Sequence, residues 1–231
     1  MSARQAIVTA VLRGVVQPLG RTTSAIDKRP VEGPLQVHAL GLAGDAQADL
    51  RVHGGLDKAL HCYAWHHYAT WRAELQGGTL WDAPGAFGEN LSIDGLDEQS
   101  VCIGDRWGIG TAVTVVTQGR QPCFKLNIRF GVADMAARVQ QTLRAGWYLR
   151  VERPGEIAAG NRLTLLDRPH PEFSVARTLS LIRDRVTDPV QIEPVLRLPL
   201  SPSWRRLFGQ RLVTQQVEDW ARRMESGDPG R

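Results

Sequence analysis

The sequence predicts an α+β fold: a mostly β-barrel domain with peripheral helices over residues 1–167, followed by a small helical subdomain over residues 168–231. Three observations lead there. Short β-branched or alternating runs separated by Gly- and Pro-bearing turns recur as far as Asp167. Beyond the linker Arg168-Pro-His-Pro-Glu172 the apolar residues change to helical spacing. A chain of 231 residues also has the length for one sizeable core and a small appendage.

Taken in order, residues 5–16 are too apolar and β-branched for a surface helix and predict a strand, or a bent pair of strands around Gly14. Ser24 to Gly33 is a loop carrying the adjacent cations Lys28 and Arg29 before Pro30, and Val37 to Leu42 is a short strand. Gly41 to His61 is rich in glycine and interleaves Asp45, Asp49, Arg51, His53, Asp57, Lys58 and His61, more ionisable groups than a purely structural loop requires. Leu60 to Tyr63 ends in a strand, and Tyr68, Trp71 and Leu75 recur at helical spacing. Turns and short strands follow from Gly85 to Gly110, and Ala112 to Thr117 is a β-branched strand. Two helical pieces, 126–130 and 134–144, place Met135, Val139 and Leu143 on one face, and 146–166 forms a closing hairpin. After the linker, Val175, Leu179 and Ile182, then Ile192 and Val195, then Trp204, Leu207, Phe208 and Leu212 mark the helices of the tail.

The chemistry centres on Thr117-Gln-Gly-Arg-Gln-Pro-Cys-Phe-Lys-Leu126. Cys123 stands just past a strand end, behind a rigidifying Pro122 and between Arg120 and Lys125, whose charge favours a thiolate able to attack an electrophile or bind a soft metal. The competing reading is a cysteine that packs as a small hydrophobe. Likewise Lys28 and Arg29 can hold a phosphate or carboxylate, or simply be solvated. Asn90, in Phe87-Gly-Glu-Asn-Leu91, can offer an amide to a heterocycle or close a turn. No spacing matches HExxH, a P-loop or GxGxxG.

Composition narrows the classes further. With 42% hydrophobic and 23% charged residues and no long apolar run, the chain reads as soluble, with neither membrane span nor secretory leader. Three cysteines without a CxxC pair argue against a disulfide framework or a structural zinc or iron–sulfur site and fit the reducing cytoplasm. A net charge of +4 suits an anionic ligand, yet scattered basic residues and arginines lying between apolar positions in the tail disfavour nucleic acid.

Ser24-Ala-Ile-Asp-Lys28, Gly41-Leu-Ala-Gly-Asp45, His53-Gly-Gly-Leu-Asp-Lys-Ala59, Phe87-Gly-Glu-Asn-Leu91 and Arg120-Gln-Pro-Cys-Phe-Lys-Leu126 occur in this order, and the chain thereby resembles the MOSC domain family, in its YiiM branch, over roughly residues 20–167. The tail from Pro202-Ser-Trp204 to Glu218-Asp-Trp-Ala-Arg-Arg223 resembles that branch's three-helix extension. The resemblance implies a β-barrel that binds a molybdenum cofactor, with Cys123 as the ligand to molybdenum, and an oxidoreductase that reduces N-hydroxylated bases and related N-oxygenated compounds. It also implies a separate electron-donating reductase, because no ferredoxin-like cysteine cluster is present in the tail. Under it, Lys28, Arg29, Arg51, Lys58, Arg120 and Lys125 anchor the pterin phosphate. His53, Asn90 and Asn127 hydrogen-bond the pterin or donate protons, with His53 counted beside Cys123 as catalytic. Gly119 departs from the family pattern, which leads proline into the cysteine turn. The competing function is a non-redox carrier of sulfur or cofactor, with a transient persulfide on Cys123. A nucleic-acid binder working through the tail ranks behind both, and the sequence leaves oligomer formation open.

Overall fold

β-branched alternation and glycine placement explain most of the element boundaries in the computed structural model, which describes residues 6–48, 54–75 and 78–224. The first apolar run forms β1 (Ile7–Arg13) and ends at Gly14, where a Cβ would meet the Ala25 carbonyl oxygen at 2.8 Å. A small hairpin, β2 (Gln17–Leu19) and β3 (Thr22–Ser24), precedes β4 (Arg29–Pro30), β5 (Leu35–His38) and β6 (Gly41–Leu42). The aromatic stretch gives β7 (Leu60–Ala64) and α1 (His67–Leu75), which buries Tyr68 and Trp71 as their spacing predicts. Then come β8 (Leu91–Asp94), β9 (Arg106–Ile109), β10 (Ala112–Gly119), α2 (Lys125–Phe130), α3 (Met135–Thr142), β11 (Trp147–Arg153), β12 (Gly155–Ile157) and β13 (Leu163–Asp167). The apolar stripe of α3 holds at Met135 and Val139, but Leu143 lies past the helix end with φ 61° and leaves the stripe.

Eight strands hydrogen-bond in the order β13-β9-β10-β11-β7-β8-β1-β4, with smaller sheets β12-β5-β6 and β2-β3. Every pairing is antiparallel except β7 with β8, where α1 lies on the crossover that a parallel pair requires. The architecture is therefore a mixed sheet with helices against it. The ladder is open: β13 and β4 are its ends, and only an isolated bridge, Ile7 to Arg162, with hydrogen bonds from Val8 N to Asn161 O (2.9 Å) and Leu163 N to Ala6 O (2.9 Å), draws β1 and β13 together. No closed barrel is found among the described strands; β4 pairs with the far end of β1 at Leu12 and Arg13.

Past Asp167 the chain forms α4 (Val175–Arg183), α5 (Pro189–Leu196), α6 (Pro202–Thr214) and α7 (Ala221–Met224). Ser174, Asp188 and Ser201 cap the first three by accepting from backbone N–H groups, and Pro189 and Pro202 sit at the first helical position, where no hydrogen-bonding N–H is needed. These helices share one hydrophobic core with the sheet, in which Leu179, Ile192, Trp204 and Phe208 join Tyr63, Trp71, Phe87 and Trp147. Of the tail arginines that lie between apolar positions, Arg211 is fully buried. It donates to Leu181 O (2.9 Å) and Val186 O (3.1 Å) and pairs with Glu218 at 2.8 Å, so backbone carbonyls and a carboxylate replace water.

The junction of sheet and tail lies at the end of β10. Leu179 of α4 covers Gly119, where a Cβ would sit 2.6–2.8 Å from three Leu179 carbons, and Ser201 and Ser203 donate to the Gln118 side-chain oxygen. The departure noted at Gly119 thus has a packing reason. Gly119→Ala is expected to lower unfolding free energy by about 1–3 kcal/mol through overpacking, measured by urea denaturation, and Gly119→Ala/Leu179→Ala to lose less than the two single variants summed.

Candidate functional site

Cys123 lies on the turn between β10 and α2, and that turn forms one wall of a cavity of about 80 Å³ that is partly open to solvent. The other walls come from Ser24 to Lys28 after β3, Ala46 to Ala48 after β6, Lys58 and His61 around the start of β7, Gly88 and Asn90 before β8, and Tyr148 on β11. Cys123 is 8% exposed, so it is packed into the wall and borders the cavity at once.

Charge in this wall is one-sided. Lys28, Lys58, Arg120 and Lys125 line the cavity, and no described carboxylate does. Lys28 is buried and donates to both Asp45 oxygens at 2.5 Å. Burial pulls its pKa down, and Asp45 pushes back. Asp45 also accepts from Gly14 N (2.8 Å) and from the Asn90 amide (2.8 Å), so one carboxylate ties together the end of β1, the lysine and the approach to β8. Burial likewise lowers the pKa of Lys58, whose ammonium lies 5.8 Å from the Tyr148 ring centre. Lys125, half-buried, donates to Thr23 O at 2.9 Å. Arg120 differs from these. Its side chain is buried at 6% exposure, it forms no ion pair with a described residue, and its Nη1 has no hydrogen-bond partner. A buried guanidinium nitrogen without an acceptor is costly and marks a place for an anion.

Two further lining groups were not assigned a role from sequence. His61 is buried, with Nε2 3.3 Å from Ala145 O and its ring 5.1 Å from that of Tyr148. Burial first and then the Arg120 charge bring its pKa down to about 3, so it is neutral at pH 7. Tyr148 is raised by burial and opposed by Arg120. His61 had a visible signal, since it closes the ionisable glycine-rich stretch; Tyr148 had none, being one alternating residue in a hairpin strand.

Of the residues singled out from sequence, the structure brings Cys123, Lys28, Lys58, Asn90, Arg120 and Lys125 to this cavity. Asn90 is there with its amide already engaged: Oδ1 accepts from His61 N (3.1 Å) and Nδ2 donates to Leu12 O (3.3 Å) and Asp45, so it orients the wall. Two expectations are corrected. Arg29 is 78% exposed at its side chain and pairs with Asp27 at 3.0 Å, because successive residues of an extended segment face opposite ways. Asn127 is away from the cavity, accepting from Ala136 N (2.7 Å) and donating to Met224 O (3.1 Å). Arg51 and His53 lie outside the described residues. Among the described residues no cluster of three His, Cys, Asp or Glu can hold a metal. No described helix is long and apolar enough to cross a membrane.

Residues 49–164 match the MOSC domain. The chain is 40% identical over 203 residues to protein YiiM of Escherichia coli, covering 87% of this chain and 90% of that one. It is 38% identical over 195 residues to a protein of Gibberella moniliformis named reductase, covering 84% of this chain but 34% of that protein. The crystal structure of YiiM from Escherichia coli superposes with a TM-score of 0.82 at 33% identity, over 96% of this chain and 100% of that one.

The cavity makes one pH prediction. Because the folded pKa of His61, about 3, lies below the ordinary 6.5, the unfolded chain binds more protons between those values. The His61 contribution to stability is therefore complete above pH 6.5 and lost as pH falls toward 3. The ring resonances of His61 should show no titration between pH 8 and about 5, measured by NMR, where an unperturbed imidazole would titrate fully.

Proposed function

Because the chain belongs to the MOSC domain family, in its YiiM branch, we propose that it is a molybdenum-cofactor-dependent oxidoreductase that reduces N-hydroxylated bases and related N-oxygenated compounds. The observation that carries the reading is a thiol and a buried guanidinium whose Nη1 has no hydrogen-bond partner, both in the wall of one cationic cavity. The donor set fits the group. A thiolate is a natural ligand for a soft metal already held by a dithiolene, and Arg120, Lys28, Lys58 and Lys125 match an anionic pterin phosphate. The curled sheet is read as the family's barrel over residues 1–167, and residues 168–231 as its helical extension.

When bound, the cofactor would supply the two-electron redox chemistry. Breaking the N–O bond of an N-hydroxylamine consumes two electrons and two protons and yields an amine and water, with the electrons drawn from a separate reductase. The fungal relative that bears the name reductase supports the redox reading. The chain's own residues do the rest. Cys123 offers its sulfur, Arg120 gives Nη1 an acceptor by binding an anion, and Asp45 keeps Lys28 charged and aimed. His61, neutral, holds its place against Ala145 O without adding to the positive charge. Arg51 and His53 follow closely on Ala48 of the cavity wall and keep their proposed roles in anchoring and proton delivery. The reducing cytoplasm suits the free thiols of Cys62, Cys102 and Cys123.

Protein purified from cells with intact cofactor synthesis should carry molybdenum and pterin by elemental and fluorescence analysis and, with a chemical reductant, convert N-hydroxylated purines to amines. Cys123→Ser should abolish metal retention, and Arg120→Gln should weaken pterin retention by about tenfold or more, the value of a charge-assisted hydrogen bond. Full metal retention in Cys123→Ser would sink the proposal.

A further inference from the structure

The cysteine turn is held from outside by the last described residues of the chain. Arg223 donates from Nη1 to Pro122 O at 2.5 Å and from Nη2 to the Gln140 side-chain oxygen at 2.8 Å. Its carbonyl accepts from Phe124 N at 2.9 Å, and the next carbonyl, Met224 O, accepts from the Asn127 amide at 3.1 Å. The residues flanking Cys123 on both sides are thus hydrogen-bonded to a single residue about a hundred positions downstream. Residues 215–220, non-helical, lead to it. Arg211 and Glu218 anchor that approach at 2.8 Å, Trp220 donates to Glu218 at 2.8 Å, and the Arg185 guanidinium lies 4.6 Å from the Trp220 ring centre.

These contacts are not needed to bury the core. α7 is a single turn in which Ala221 is exposed and Arg223 and Met224 are only partly covered. What they do is satisfy backbone groups of a turn that no strand or helix satisfies. Pro122 O belongs to the segment between β10 and α2, and Phe124 N is at the start of α2, where a helix leaves its first N–H groups open. A fork-shaped guanidinium reaching Pro122 on one side and Gln140 of α3 on the other fixes the turn to α3.

We infer that residues 215–224 form a strap that sets the conformation of the Cys123 turn, with Arg223 as its positioning residue. The strap keeps the sulfur in the cavity wall and limits access to it from solvent. Freed of it, the turn opens, and the sulfur samples positions away from the cations that line the cavity. The effect on metal retention rests on the function proposed above, whereas access to Cys123 in metal-free protein does not, so failure of either is told apart.

The test is iodoacetamide labelling of metal-free protein, with Cys123 read by peptide-resolved mass spectrometry so that Cys62 and Cys102 do not interfere. Arg223→Gln should label about tenfold faster at Cys123, the factor that one lost charge-assisted hydrogen bond shifts an opening equilibrium, while the melting temperature falls by no more than about 6 °C, the cost of that one bond in a chain of this size. Arg223→Lys, which keeps a cation able to reach Pro122 O, should fall between wild type and Arg223→Gln. Labelling equal to wild type in Arg223→Gln overturns the inference. So does faster labelling accompanied by a larger fall in melting temperature, or faster labelling that Arg223→Lys does not reduce, since both mark general loosening.

Discussion

Burying several positive charges around one small space, with no described carboxylate in its lining, is the constraint on which this architecture rests. Removing a charged group from water costs several kcal/mol even after relaxation, and the chain meets that cost differently at its two most buried cavity cations. Lys28 has Asp45 at 2.5 Å, and Asp45 is itself fixed by Gly14 N and Asn90. Arg120 has no acidic partner among the described residues, and its Nη1 has no hydrogen-bond acceptor. Among the described residues the unmet hydrogen-bonding capacity of the cavity wall is at Arg120, three residues before Cys123.

Much of this was legible in the sequence, and where it was not the reasons are geometric. A lone cysteine between Arg120 and Lys125, a glycine-rich ionisable stretch holding Lys58, and the loop holding Lys28 were all visible in the sequence, and all border the cavity. Adjacency misled at Arg29, since an extended segment sends Lys28 inward and its neighbour outward. It misled again at Asn127. On a helix, residues two apart diverge by about 200°, so Lys125 at the start of α2 borders the cavity while Asn127 faces α3 and α7. Asn90 was correctly placed but differently used, because its donors and acceptor are consumed by partners as far as 78 positions away in the chain. Such long-range partnering leaves no local pattern. The same holds for Asp45, one acid among several in its loop.

The strand pattern was read well, and closure of the sheet is not found among the described strands. Alternation specifies which face of each strand is buried but not whether the last strand pairs with the first. Here the two-residue strand β4 takes the end of β1, and only the isolated Ile7 to Arg162 bridge approaches closure. The change of periodicity at Asp167 was also real, yet a change in secondary structure is a weaker statement than a break in packing. The helices beyond it contribute Leu179, Trp204 and Phe208 to the same core as the sheet and grip Gln118 and Gly119 directly.

That grip accounts for the substitution of glycine for proline at 119. Proline there would lock φ near −65° and place ring atoms where Leu179 already lies within 2.8 Å of a hypothetical Cβ. The rigidity that proline would contribute before the turn is instead distributed. Arg120 N is held by Gly146 O at 2.9 Å, Pro122 constrains the residue before the cysteine, and Arg223 binds the turn on both sides of it. A site whose sulfur must keep one position in a wall of like charges needs that restraint from somewhere. In this chain it comes from helices packed behind the strand end, so the tail is part of the site's architecture.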